Sequence, residues 1–140
     1  MTIAARPHAI GAPGYSETWP CEPESAGRAR SLVRAAISAW GLEQLIDDGT
    51  LITSELVGNA VQHSDCRLLR VSVTLVKPGR VRIAVADKST SPTKLLKPRD
   101  DDTGGRGLLL VNELADGWGT DHRRWGKVVW AEVCAGGDAS

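Results

Sequence analysis

The chain has 140 residues, 41% of them hydrophobic, which suits one domain built around one core. Its 17 Lys and Arg cancel its 17 Asp and Glu, and the isoelectric point lies near 6.8, so no basic footprint for nucleic acid stands out. No segment is apolar for long enough to span a bilayer, and MTIAARPHAIGAPG lacks a signal peptide's apolar run, so a cytoplasmic protein without a membrane partner is expected.

Residues 1–14 hold Pro and Gly without periodicity and read as a flexible leader. Tyr15 to Trp19 fits a short strand. A helix is predicted over Pro23 to Trp40, with Pro near its start, Gly41 past its end, and Ala29, Leu32, Val33, Ala36 and Trp40 as its buried stripe. A helical turn around Glu43 to Asp47 follows, and a second helix begins near Thr50. RLLRVSVTLV and RVRIAVADKS alternate as strands, and Lys77-Pro78-Gly79-Arg80 between them has the Pro and Gly of a type II turn, giving a hairpin.

Ser89 to Thr103 is fifteen residues long with no period, a loop length that points to function or disorder. Gly104-Gly105-Arg106-Gly107 then leads into LLLVNELAD, an apolar helix ending near Gly117. Trp118 to Arg124 and Lys127 to Cys134 form a last hairpin turning at Trp125-Gly126. The three cysteines, Cys21, Cys66 and Cys134, are far apart and odd in number, so free thiols are expected. Helices separated by hairpins indicate an α+β layered sandwich. GGRGLLL lacks the spacing of a dinucleotide fingerprint, and no P-loop is present.

Three places have side chains suited to chemistry. In TSELVGNAVQHS, Leu56, Val57, Ala60 and Val61 form an apolar sector, and Ser54, Glu55, Gly58, Asn59, Gln62 and His63 form the other face. That face has one carboxylate and no Lys or Arg. Glu55 and Asn59 lie one turn apart, about 40° in projection, so the amide oxygen can meet Mg²⁺ while the carboxylate acts as a base. Periodicity alone fits a solvated face equally well; the missing positive charge favours a cleft wall. His63 reads as a structural hydrogen-bonder.

Asp87 keeps the parity of Val81, Ile83 and Val85, where an ionised carboxylate needs a partner such as the amine of a heterocycle. Taken alone, it is better read as the start of a turn with Lys88 and Ser89. Glycines before LLLV free backbone N–H groups to face an anion at a helix start, and Arg106 adds a donor fork. Phosphate binding is preferred there over an ordinary loop-to-helix junction.

Together, ELVGNAVQHS, VADKSTSP, GGRGLLLVNELADGWG and GKVVWAEV resemble the GHKL ATP-binding superfamily of histidine kinases, gyrase and MutL. They look most like the RsbW-like anti-sigma-factor serine/threonine kinases and the single-domain ATP-binding regulators of actinomycetes. The resemblance spans residues from about 15 to 134, leaving 135–140 as a tail. It implies a Bergerat sandwich, a mixed and largely antiparallel sheet covered on one face by helices, with ATP and Mg²⁺ bound under a flexible lid at Ser89 to Thr103. Glu55 corresponds to the general base, Asn59 to the Mg²⁺ ligand and Asp87 to the adenine-reading carboxylate. Gly104, Gly105, Arg106, Gly107 and Leu108 fall in the phosphate-binding segment. The partners implied are an anti-anti-sigma protein as substrate, a sigma factor, and a second copy as homodimer. Transfer to Ser or Thr is one implied activity; a nucleotide-dependent binding module without transfer is the other. Two departures stand out. Asp87 is followed by Lys-Ser-Thr-Ser where the family has DxGxG, and GKVVWAEV lacks a threonine often found beside the adenine-reading Asp.

Overall fold

Strands from both ends of the chain build one sheet, which the helices cover on a single face. The computed structural model describes residues 4–5, 13–63, 66–88 and 108–135. Its strands are β1 (Ala4–Ala5), β2 (Gly14–Pro20), β3 (Leu68–Lys77), β4 (Arg80–Asp87), β5 (Gly117–Arg123) and β6 (Gly126–Cys134). They lie in the order β1-β2-β3-β4-β6-β5, antiparallel at every pairing. The helices are α1 (Ser25–Ala39), α2 (Ile46–His63), entered through a 3₁₀ turn at Glu43–Leu45, and α3 over residues 108–114. The α+β sandwich expected from the order of hairpins and helices is the fold observed.

The core forms where one face of each strand meets one stripe of each helix. Leu69, Val71, Val73, Val81, Ile83, Val85, Val129, Ala131 and Val133 come from the sheet. Leu32, Val33 and Ile37 come from α1, Ile52, Leu56 and Val57 from α2, and Val111 from α3. The predicted stripe of α1 is buried except for Trp40, which is half-buried and tilts against Tyr15 with ring centroids 5.8 Å apart. That contact ties the helical layer to β2.

Local chemistry explains the boundaries. Gly41 adopts φ +70° just beyond α1. Its N–H donates to the carbonyl of Ser38 at 3.0 Å and that of Leu42 to Ile37 at 3.1 Å, closing a Schellman motif. Helix α2 starts four residues before the predicted Thr50, which is itself a back-bonded residue within the helix. Its hydroxyl donates back to the Ile46 carbonyl at 2.8 Å, while Asp47 and Asp48 occupy the first turn, where negative charge complements the helix dipole. At the β3–β4 turn Gly79 has φ +80°, the left-handed geometry that a type II turn needs at that position.

The cysteine expectation is corrected. Cys21 and Cys66 form a disulfide, and Cys134 is the free cysteine. The cause is register: Pro20 pairs with Leu68, so Cys21 just after β2 and Cys66 just before β3 meet at one end of an antiparallel pair. Their Cα atoms are 6.0 Å apart despite 45 residues of intervening sequence, and the Cys21 N–H donates to the Arg67 carbonyl at 2.9 Å.

Candidate functional site

Helix α2 sorts its side chains as its periodicity requires. Leu56, Val57 and Ala60 are buried against the sheet, Ser54, Glu55 and Asn59 are half-buried, and Gly58 is exposed. Among the described residues, a Cβ built on Gly58 would meet nothing within 4 Å, so they leave the strip between Glu55 and Asn59 open to an incoming group. Arg30 of α1 reaches this face from the side, donating from Nη1 to Ser54 Oγ at 3.0 Å.

Asp87 is the last residue of β4 and only 3% exposed. It pairs with Leu69 on one side and Lys127 on the other, so it belongs to the ladder and does not begin a turn. The turn reading, which the sequence alone favoured for Asp87, is thereby overturned. Lys127 Nζ lies 3.8 Å from Asp87 Oδ2, with only 20% of the lysine side chain exposed. Sequence reasoning missed this lysine. Its signal was parity, since Lys127 precedes Val129, Ala131 and Val133 by the two-residue step that faces the core.

Chain connectivity relates the helix to the strand. The C-terminal end of α2 returns to β3 at Leu68, and Leu69 is the cross-strand neighbour of Asp87. The C-terminal end of α2 and the Asp87–Lys127 pair therefore lie toward the same end of the sheet. Leu108, the first residue of α3, is half-buried and packs on the core. Gly104, Gly105, Arg106, Gly107 and the lid at Ser89 to Thr103 lie outside the described residues.

A family model described as a histidine kinase-like ATPase domain matches residues 19–133. The chain belongs to that family. Among curated proteins none matches it. As a histidine kinase-like ATPase domain it is built to bind ATP, commonly with Mg²⁺, and the residues present fit that ligand. A buried carboxylate beside Lys127 ends an apolar rung, a setting in which it would accept the donor edge of a flat heterocycle. The half-exposed Glu55 and Asn59 flank a glycine that no described residue crowds. No group of three or more His, Cys, Asp or Glu able to cage a metal occurs among the described residues. Mg²⁺ needs no such cage beside a nucleotide, because phosphate oxygens and water fill most of its octahedron and one or two side chains complete it.

Proposed function

We propose that this histidine kinase-like ATPase domain is a serine/threonine protein kinase of the anti-sigma type. It phosphorylates an anti-anti-sigma protein and sequesters a sigma factor when that protein is modified. The observation that carries this reading is the α2 face, where Glu55 and Asn59 stand one turn apart beside open space. Phosphoryl transfer asks the protein mainly to position reactants and offset charge, so a short set of groups suffices. Asn59 holds the metal and Asp87 holds the base. Glu55 accepts the proton of the partner's hydroxyl. Magnesium, when bound, neutralises charge on the phosphates.

One observation favours a second reading, a nucleotide-dependent binding module without transfer. Lys88 and Ser89 follow Asp87 in place of the family's DxGxG. The two readings share the nucleotide and differ at Glu55. The experiment is a melting titration with Mg·ATP followed by incubation with γ-labelled ATP and an anti-anti-sigma protein. Stabilisation with label on a Ser or Thr supports the kinase. Stabilisation with no label supports the binding module. No stabilisation at millimolar Mg·ATP removes both.

A further inference from the structure

Asp87 and Lys127 sit side by side on the helix-covered face of the sheet, on neighbouring strands and in one rung. Their separation of 3.8 Å is an ion-pair distance, longer than a hydrogen bond. The carboxylate neutralises the ammonium without using up its protons, and no hydrogen-bond acceptor meets Lys127 among the described residues. Holding a mostly buried lysine at the end of an apolar rung is costly unless its donors find partners. A carboxylate and an ammonium in one rung present an acceptor next to a donor. The complementary ligand edge carries a donor next to an acceptor, as the exocyclic amine and adjacent ring nitrogen of a 6-aminopurine do.

We infer that Lys127 is a specificity-determining residue that donates to the ring nitrogen beside the amine accepted by Asp87. The inference rests on the proposed reading of Asp87 as the base-recognising carboxylate. The Asp87–Lys127 pair then reads two adjacent atoms of the purine edge, with Lys127 supplying a charge-assisted donor.

The test is a binding cycle on the full chain, read by calorimetry and by melting shift, with Mg·ATP and Mg·1-deaza-ATP, which keeps the amine and lacks the ring acceptor. Lys127→Met is expected to weaken Mg·ATP by about tenfold or more, the scale of a hydrogen bond to a charged group. It is expected to leave the already weaker 1-deaza analogue unchanged. Lys127→Arg, which restores a donor, is expected to recover most of the ATP affinity. Equal weakening of both nucleotides by Lys127→Met overturns the inference, since the lysine would then act only through the fold or general charge. An unchanged affinity for ATP overturns it too, while leaving the nucleotide site intact. If the wild-type chain binds neither nucleotide, the reading of Asp87 fails and takes this inference with it. Should Lys127→Met fail to fold, the comparison of wild type and Lys127→Arg across the two nucleotides decides: a wild-type preference for ATP below about threefold overturns the inference.

Discussion

Cys21 and Cys66 are joined at the point where β2 ends and β3 begins, so their disulfide closes a loop containing the whole of α1 and α2. A closed loop of 45 residues removes chain entropy from the unfolded state worth about 4 kcal/mol on the polymer model. Reduction is therefore expected to lower the urea midpoint without changing the sheet. Cys21→Ser and Cys66→Ser should each reproduce the loss, and the double substitution should cost no more than either alone. The measurement is urea unfolding with and without reductant. A midpoint insensitive to reductant, with both thiols verified as free afterwards, contradicts the expectation.

The half-exposed pair on α2 allows metal and base roles to be separated. Asn59→Ala is expected to abolish the part of ATP stabilisation that depends on Mg²⁺, and nucleotide at about 100 times its dissociation constant adds roughly 2.7 kcal/mol to a competent protein. Glu55→Gln keeps the shape and should keep that stabilisation, while transfer falls by about 10²–10⁴, the usual contribution of a general base. Calorimetric unfolding and single-turnover labelling read the two effects independently. Wild-type transfer by Glu55→Gln removes the base assignment.

On the open face of the sheet, Glu132 accepts from Arg80 Nε at 2.5 Å and Arg82 Nε at 2.8 Å, and the Arg82 guanidinium lies 4.2 Å from the centre of the Trp130 ring. Burial pushes the Glu132 carboxyl up, but the hydrogen bonds and charges of the two arginines outweigh it and hold the carboxyl below its ordinary value. A depressed carboxylate contributes stability that is complete above its unfolded pKa, about 4.3, and is lost as the pH falls through the folded value. Glu132→Gln is expected to cost about 1–2 kcal/mol at pH 7, the low end for a buried pair because Arg82 is 40% exposed and partly screened. The gap to wild type should narrow below about pH 4. A gap independent of pH between 3 and 7 would show that the pair contributes through packing alone.

Most of the fold was legible because periodicity and turn chemistry agree. Pro78-Gly79 marks its turn, Gly41 marks the end of α1, and Val81, Ile83 and Val85 declare the inner face of β4. Asp87 was ambiguous for a physical reason. One polar residue at the end of a strand has the same local pattern whether the ladder continues or stops, and pairing with Leu69 and Lys127 decides it. The pairing of Lys127 with Asp87 and the disulfide were hidden for a related reason, since both depend on register between strands far apart in sequence. The start of α2 was misplaced because the 3₁₀ turn at Glu43–Leu45 runs directly into the helix at Ile46, with no break in the chain to mark where one becomes the other.

The two glycines of α2 should respond to alanine in opposite ways. At Gly49 an added Cβ would lie 2.9 Å from Ile37 Cδ1 and 3.7 Å from Ile83 Cδ1, and both isoleucines are fully buried. The gain in helix propensity is about 1 kcal/mol, and overpacking a filled core costs about 1–3 kcal/mol. Gly49→Ala is therefore expected to be neutral to destabilising, by up to about 2 kcal/mol. At Gly58 the added Cβ meets none of the described residues, so the propensity term stands alone and the ligand-free protein should gain about 0.5–1 kcal/mol. A residue that weakens its own helix needs another reason to be there, and the open space between Glu55 and Asn59 supplies one if the nucleotide approaches the backbone there. Gly58→Ala should then stabilise the free protein yet bind Mg·ATP more weakly, by about fivefold for a 1 kcal/mol clash. Melting curves with and without nucleotide test both halves at once. A stabilised variant whose affinity is unchanged would mean that the ligand does not pass over this part of α2.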